Sequence, residues 1–259
     1  MNKKRAYKGL LIYNSESYIT AKLLANLLNL RAICKDISID KLYQRYPIKI
    51  RYGNSHQQKG QDTNYNSAKV ILLCSSSTAF SSFCVKHDIF SPVYIPFNPH
   101  KMPAFPFLLR DRYHRAGKDI SIVESSKDFG KLSIKKFDDR YWVPFIETKY
   151  EARLHYVLGD IVRIFLKQPG EKSNVDFPIR TTNYDWHYSL QAVADNDNSY
   201  AKAKELAIKV AKMINLQFGA FDMAWVPSKK QYIIWEINTA PGLNEHTAQI
   251  YADRLRGVL

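Results

Sequence analysis

Two apolar segments near the C-terminal end of this chain, separated by a short turn, constrain its fold most strongly. Residues 218–226 and 231–237 are rich in aliphatic and aromatic side chains, and Pro-Ser-Lys-Lys between them has the composition of a turn. Both segments have the length of strands. The pattern therefore predicts an antiparallel hairpin.

Three oxygen-bearing side chains interrupt these apolar segments. Asp222 lies in the first strand, and Glu236 and Asn238 lie in the second. Because alternate side chains of a strand share a face, we expect Glu236 and Asn238 to point the same way and Asp222 to join them from the partner strand. Oxygen ligands of this kind suit Mg²⁺, which takes one or two carboxylates and completes its shell with phosphates and water. The alternative is a solvated acid on each strand and an Asn that opens the next turn.

The pattern Asp222, then Glu236-x-Asn238-x-x-Pro241-Gly242, resembles the metal-binding end of the ATP-grasp superfamily. Within that superfamily it is most similar to the carboxylate–amine ligases related to ribosomal-protein glutamate ligases and D-alanine ligases. The resemblance implies that Asp222, Glu236 and Asn238 hold two Mg²⁺ ions that bridge the phosphates of ATP, with Mn²⁺ as an alternative ion.

The resemblance also implies a domain organisation. It predicts an α+β protein in which a small N-terminal α/β domain, residues 1–85, precedes an ATP-grasp region, residues 86–259. In that region a central lobe, about 100–145, and a C-terminal lobe, about 146–259, hold the nucleotide between them.

The N-terminal residues show the pattern of a parallel α/β sheet. A strand at 7–13, a helix at 18–30 and a second strand at 31–34 form one strand–helix–strand unit. Residues 69–74 are predicted to form a buried strand. The polar segment 57–66 is predicted to be an exposed loop.

Two residues near the end of a further strand, Arg51 and Asn54, are candidates for substrate contact. Open α/β sheets bind ligands at the carboxyl ends of their strands, and the alternative is an ordinary exposed strand end. Lys86 lies where the resemblance implies a helix Lys that reaches the nucleotide.

The nucleotide phosphates have a candidate site between two strands. Residues 111–119 form a loop with one Gly and several cations, and backbone N–H groups in such a loop can hold phosphates. The resemblance implies a Lys at the end of the preceding strand, where this chain has Arg110, which keeps the charge in a different geometry. The predicted nucleotide contacts here are Arg110, His114, Gly117 and Lys118.

The predicted hinge between the lobes is followed by charged side chains on one strand face. Glu151, Arg153 and His155 alternate, so they share a face, and an ion pair between Glu151 and Arg153 would be the simplest explanation. The resemblance implies instead that Glu151 contacts the ribose or a neighbouring Lys and that Arg153 faces an acyl-phosphate. It assigns further contacts with the nucleotide or its phosphates to Phe145, Glu147 and Lys167, a γ-phosphate contact to Arg180, and a substrate contact to Asn183.

These assignments together imply an ATP-dependent, ADP-forming ligase. A carboxylate would be activated as an acyl-phosphate with help from Arg153 and Arg180, and an amine would then displace phosphate to leave an amide. Its partners would be small-molecule or peptide carboxylates and amines. One alternative is an ATP-grasp protein that binds without turnover, which the Arg at position 110 and the single Gly in the loop favour.

A second alternative, association with nucleic acid, rests on the net charge of +14. The charges are spread along the chain, and no apolar run reaches the ~20 residues of a membrane span. The three cysteines show no CxxC spacing, so we expect neither a disulfide framework nor a zinc site. The sequence shows no secretory leader, and we expect a cytoplasmic protein. It does not indicate an oligomeric state.

Overall fold

The computed structural model describes residues 7–34, 45–53, 63–96, 98, 103–111, 120–131, 140–175, 179–189, 193 and 198–259. In chain order the strands are β1 (Gly9–Tyr13), β2 (Leu30–Cys34), β3 (Ile48–Tyr52), β4 (Ile95–Pro96), β5 (Phe107–Asp111), β6 (Ile120–Val123), β7 (Arg140–Pro144), β8 (Glu151–Val157), β9 (Asp160–Pro169), β10 (Trp186–Tyr188), β11 (Phe218–Val226) and β12 (Gln231–Asn238). The α-helices are Tyr18–Leu28, Ala68–Ser75, Ser77–Lys86, Ser126–Lys131, Ala201–Ile214 and Glu245–Arg256.

The N-terminal sheet is parallel, with strand order β2-β1-β3. This confirms the predicted strand–helix–strand unit, because the helix Tyr18–Leu28 connects β1 to β2 and ends at Asn29 in the left-handed conformation. The strands lie close together at Gly9, where a Cβ would be 2.5 Å from the Ile48 carbonyl oxygen.

The strand predicted at 69–74 is wrong, since these residues belong to the helix Ala68–Ser75. The hydroxyl of Ser67 caps this helix by accepting a bond from the Val70 N–H. Ala68, Ile71 and Cys74 are buried while Leu72 is exposed, which is a helical period that the aliphatic run concealed.

The segment predicted to be an exposed loop, 57–66, is described only from residue 63. Asn66 is fully buried there, because its side chain bonds the backbone of Gln217 and Phe218. The prediction of exposure is therefore wrong for Asn66.

The central sheet is antiparallel, with strand order β4-β7-β5-β6. Phe107, Leu109, Val123 and Trp142 form its core. The segment 145–150 then leads from β7 to the first strand of the C-terminal sheet.

The C-terminal sheet has five antiparallel strands in the order β10-β9-β8-β11-β12. One face is covered by the helices Ala68–Ser75, Ser77–Lys86 and Ala201–Ile214, whose buried residues pack against Leu154 and Met223. The opposite face carries the charged side chains and is called the cleft face below.

The N-terminal sheet and the C-terminal sheet share a core. Leu11 and Leu24 cluster with Val157, Phe218 and Tyr251. The domain division at residue 85 stays a prediction.

Among the described residues, no single helix meets the length and hydropathy expected of a membrane span. The helices Ala68–Ser75 and Ser77–Lys86 meet the criterion only as a pair, and they are bent by 96°.

Candidate active site

The predicted metal ligands lie on one face of the β11–β12 hairpin, next to a β-bulge. Asp222 lies opposite Glu236 and Ala224 lies opposite Ile233, so Trp235 is the additional residue of β12. Directly opposed residues share a face, so the bulge allows Glu236 to share the face of Asp222 while Ile233 shares the face of Ala224. Further along the pair, Asn238 lies opposite Ala220 and shares the cleft face.

Asp222 is held by a forked ion pair. Arg153 Nε and Nη2 donate to its two carboxylate oxygens at 2.7 Å each, and both side chains are mostly buried. Burial alone would raise the pKa of Asp222, but the charge and hydrogen bonds of Arg153 hold that pKa below its ordinary value. Asp222 is therefore an anion, and Arg153 pairs with it and not with Glu151, which rules out the alternative of a Glu151–Arg153 ion pair.

Glu236 has a different electrostatic environment. Its side chain is exposed, yet surrounding protein atoms still remove part of its hydration, as expected at the floor of an open cleft. That desolvation, together with the charge of Asp222 and a hydrogen bond to it, raises the pKa of Glu236 to about 7. The two carboxyl groups thus lie close enough to repel each other.

A divalent cation would relieve this repulsion, so the donor set fits Mg²⁺. Within the part of the chain that the structure describes, no three His, Cys, Asp or Glu side chains cluster as a metal site. The set here is two carboxylates and the amide of Asn238, and Mg²⁺ commonly takes only one or two carboxylates from protein.

A tyrosine that the sequence did not indicate lies between the cations of the cleft face. The ring centroid of Tyr188 is 4.2 Å from the Arg153 guanidinium carbon and 5.3 Å from Lys167 Nζ. Lys167 also donates to Glu151 at 2.9 Å, which agrees with the alternative of a neighbouring Lys for Glu151. Burial, followed by the nearby carboxylates, raises the pKa of Tyr188 well above its usual value.

The central sheet contributes a cation to the carboxylate pair. Arg110, on β5, donates to the Tyr94 hydroxyl at 2.9 Å, and its charge lowers the pKa of Glu236. The end of β5 therefore lies close enough to Glu236 for the charge of Arg110 to act on that carboxyl group. Tyr94 is a second residue that the sequence did not indicate.

Arg180 lies at the segment between the lobes. It donates to the Thr148 carbonyl oxygen at 3.0 Å, and its guanidinium carbon is 5.2 Å from the Trp186 ring centroid. Phe145 and Glu147 belong to the same linking segment, where Phe145 is half-buried and Glu147 is exposed. The structure thus groups Arg180 with the linking segment, and its predicted γ-phosphate contact stays a prediction.

The remaining predicted residues are dispersed. Lys86 is exposed at the end of a helix that packs on the face opposite Asp222, Arg51 is 1% exposed, and Asn183 is exposed in a short 3-10 helix. Asn54, His114, Gly117 and Lys118 lie outside the described residues.

A buried histidine connects the cleft face to the C-terminal helix, Glu245–Arg256. His155 Nδ1 lies 3.0 Å from the Tyr251 hydroxyl, which donates to the Gly219 carbonyl oxygen at 2.8 Å. His155 shares the face of Arg153, as predicted, but it is 2% exposed.

No protein-family model and no curated protein matches this chain. Solved structures do. D-alanine–D-alanine ligase from Bacillus anthracis is 13% identical with a TM-score of 0.70, covering 98% of this chain and 93% of that one. N5-carboxyaminoimidazole ribonucleotide synthetase from Thermotoga maritima is 14% identical with a TM-score of 0.65, covering 96% and 75%. The ATP-grasp ligase PsnB, solved with a minimal precursor, Mg and ADP, is 10% identical with a TM-score of 0.66, covering 99% of both chains. The predicted ATP-grasp fold is confirmed.

Proposed function

We propose that this chain is an ATP-dependent, ADP-forming ligase that joins a carboxylate to an amine. The observation that carries the proposal is the pair Asp222 and Glu236, set side by side in the cleft of an ATP-grasp fold and faced by cations from both sheets. ATP-dependent ligation would proceed by phosphorylation of the carboxylate and displacement of phosphate by the amine, which needs no protein nucleophile.

The metal would be held by Asp222, Glu236 and Asn238. Mg²⁺, as one or two ions, would neutralise phosphate charge when bound, and Mn²⁺ would be an alternative. Arg153 fixes the orientation of Asp222 and keeps it ionised. Asn238 is preoriented, because its Oδ1 accepts a bond from the Ala240 N–H at 2.9 Å.

The cations around the pair would bind anionic groups. Lys167 is oriented by Glu151, and Arg110 is oriented by Tyr94, so each presents its charge from a fixed position. The adenine would lie on the apolar surface next to the linking segment, where Ala224, Val226, Ile233, Ile146 and Trp235 pack together.

The substrates would be small molecules or peptides. The solved neighbours include a D-alanine–D-alanine ligase and a ligase complexed with a minimal precursor, so ligases of this fold differ in their substrates. The alternative of binding without turnover stays open, since Arg110 replaces the Lys implied by the resemblance. The interpretation of the net charge as a nucleic-acid surface gains no support from these folds.

Calorimetric titration with ATP, with and without Mg²⁺, tests the proposal. We expect Mg²⁺-dependent binding by the wild type that Asp222→Asn/Glu236→Gln loses, since both charged ligands are removed. Glu205→Gln/Asp253→Asn removes two exposed acids and is the charge-matched control, which should bind as the wild type does.

The outcomes separate the alternatives. A folded wild type that binds no nucleotide contradicts the proposal. Binding followed by phosphate release with some carboxylate and amine pair supports ligation, whereas binding without release across amino acids and peptides supports the non-catalytic alternative.

A further inference from the structure

The end of the N-terminal sheet lies directly against the turn that follows β12. Tyr52, the last residue of β3, is fully buried, and its hydroxyl donates to the Pro241 carbonyl oxygen. Its ring stacks on Phe218, the first residue of β11, with centroids 6.0 Å apart and planes inclined by 22°. Tyr52 therefore contacts both the first residue of β11 and the turn that follows β12.

The next residue holds the same turn from another side. Gly53 has φ +69°, and a Cβ on it would lie 2.6 Å from the Ala240 Cβ. A side chain here would be strained by the backbone conformation and would also push Ala240 away. The Gly53 carbonyl oxygen accepts a bond from Asn14 Nδ2 at 3.2 Å, which fixes the backbone in this place.

These contacts converge on one ligand. Ala240 N–H donates to Asn238 Oδ1, so the position of Ala240 sets the direction of the Asn238 amide. Ala240 and Pro241 are held by Gly53 and Tyr52 respectively. A displacement of the turn would rotate the amide away from the carboxylates.

We propose that Tyr52 and Gly53 are positioning residues for the metal ligand Asn238, acting through the turn at Ala240 and Pro241. The inference rests on the proposed function, because it assigns the N-terminal sheet a part in ordering that metal site. Groups that orient metal ligands typically change metal affinity by about 10- to 100-fold when they are removed.

The first test compares Tyr52→Phe with Tyr65→Phe. Tyr65 also donates from its hydroxyl to a backbone carbonyl oxygen in the C-terminal part, that of Val258 at 2.8 Å, but this bond does not involve the turn. Mn²⁺ affinity is measured by electron paramagnetic resonance with a non-hydrolysable ATP analogue present, and folding is checked by circular dichroism. We expect Tyr52→Phe to weaken Mn²⁺ binding by about tenfold and Tyr65→Phe by less than about twofold.

The second test asks whether the effect passes through Asn238. In an Asn238→Ala background, Tyr52→Phe should cause no further loss of Mn²⁺ affinity, because the oriented group is already absent. Gly53→Ala should also weaken Mn²⁺ binding, and Gly53→Ala/Ala240→Gly should recover part of it, since the second change removes the atom that the new Cβ would meet. These variants keep the test decisive even if Tyr52→Phe fails to fold.

The results distinguish the two proposals. A wild type that binds no Mn²⁺ with the nucleotide analogue overturns the proposed function and this inference together. A wild type that binds, with Tyr52→Phe equal to Tyr65→Phe or with a full Tyr52 effect in the Asn238→Ala background, overturns the inference alone. A loss specific to Tyr52 that vanishes without Asn238 supports it.

Discussion

Replacing His155 by Gln is expected to reduce the loss in free energy of unfolding that the protein undergoes at acid pH. The Tyr251 hydroxyl has one hydrogen, which it donates to the Gly219 carbonyl oxygen, so it must accept a bond from His155 Nδ1. His155 is therefore the neutral tautomer that carries its proton on Nδ1. Gln can donate to the same hydroxyl and does not titrate.

The magnitude follows from the environment of the imidazole. Burial, followed by the charge of Arg153, lowers the pKa of His155 from 6.5 to about 3. Below pH 6.5 His155 is protonated in the unfolded chain, but in the folded chain it stays neutral until about pH 3. The free energy of unfolding therefore falls as the pH falls from 6.5 towards 3. At pH 5 the loss is about 2 kcal/mol, which is 1.5 pH units below 6.5 multiplied by about 1.36 kcal/mol.

Urea unfolding at pH 7.5 and pH 5.0 measures this effect. The free energy of unfolding of the wild type should fall by about 2 kcal/mol more than that of His155→Gln, because all other titrating groups are common to both proteins. His87→Gln, at an exposed position, is the matched control and should keep the wild-type dependence. A difference below about 0.5 kcal/mol between wild type and His155→Gln would refute the reasoning.

Three further perturbations test the architecture. Arg153→Met should lower the free energy of unfolding in urea by about 3 kcal/mol, because it leaves the buried carboxylate of Asp222 unpaired. The double variant Arg153→Met/Asp222→Leu should recover part of that stability, and a loss below about 1 kcal/mol in Arg153→Met would contradict the prediction. Gly9→Ala should lower the free energy of unfolding by about 2–3 kcal/mol, since the new Cβ would lie 2.5 Å from the Ile48 carbonyl oxygen. An unchanged urea midpoint would contradict this, because it would mean that the strands move apart at little cost. Asn66→Ala should cost about 2–3 kcal/mol, because buried backbone groups at the start of β11 lose their partner, and hydrogen exchange at those amides should rise; unchanged protection would contradict it.

The hairpin was predictable because its signal is local. The two apolar segments, the turn between them and the alternation of Glu236 with Asn238 are all read within 21 residues, and the structure pairs Asp222 with Glu236 as expected. The bulge at Trp235 was not predictable, since an additional residue leaves no mark on composition.

The partners of the carboxylates were harder to foresee. Arg153 and Asp222 are 69 residues apart, and they meet only because β8 pairs with β11 in one register. Tyr188 reaches the cleft from a three-residue strand at the sheet edge, which is too short to show a period. The aliphatic run in the helix Ala68–Ser75 fits the period of a strand as well as that of a helix, so the sequence predicts a strand there. The capping residue Ser67 is the signal that favours a helix.

Because of the bulge, β12 has one residue, Trp235, without an opposing residue on β11. This additional residue affects which insertions and deletions such a chain can accept during evolution. Deleting Trp235 would leave a regular ladder in which Glu236 still opposes Asp222, because Ile234 and Ile233 already pair with Met223 and Ala224. Deleting Ile237 would instead bring Asn238 into its register position, on the back of the sheet. Length variation is therefore tolerable on one side of Glu236 and disruptive on the other, so insertions and deletions in related chains should be distributed unequally about this carboxylate.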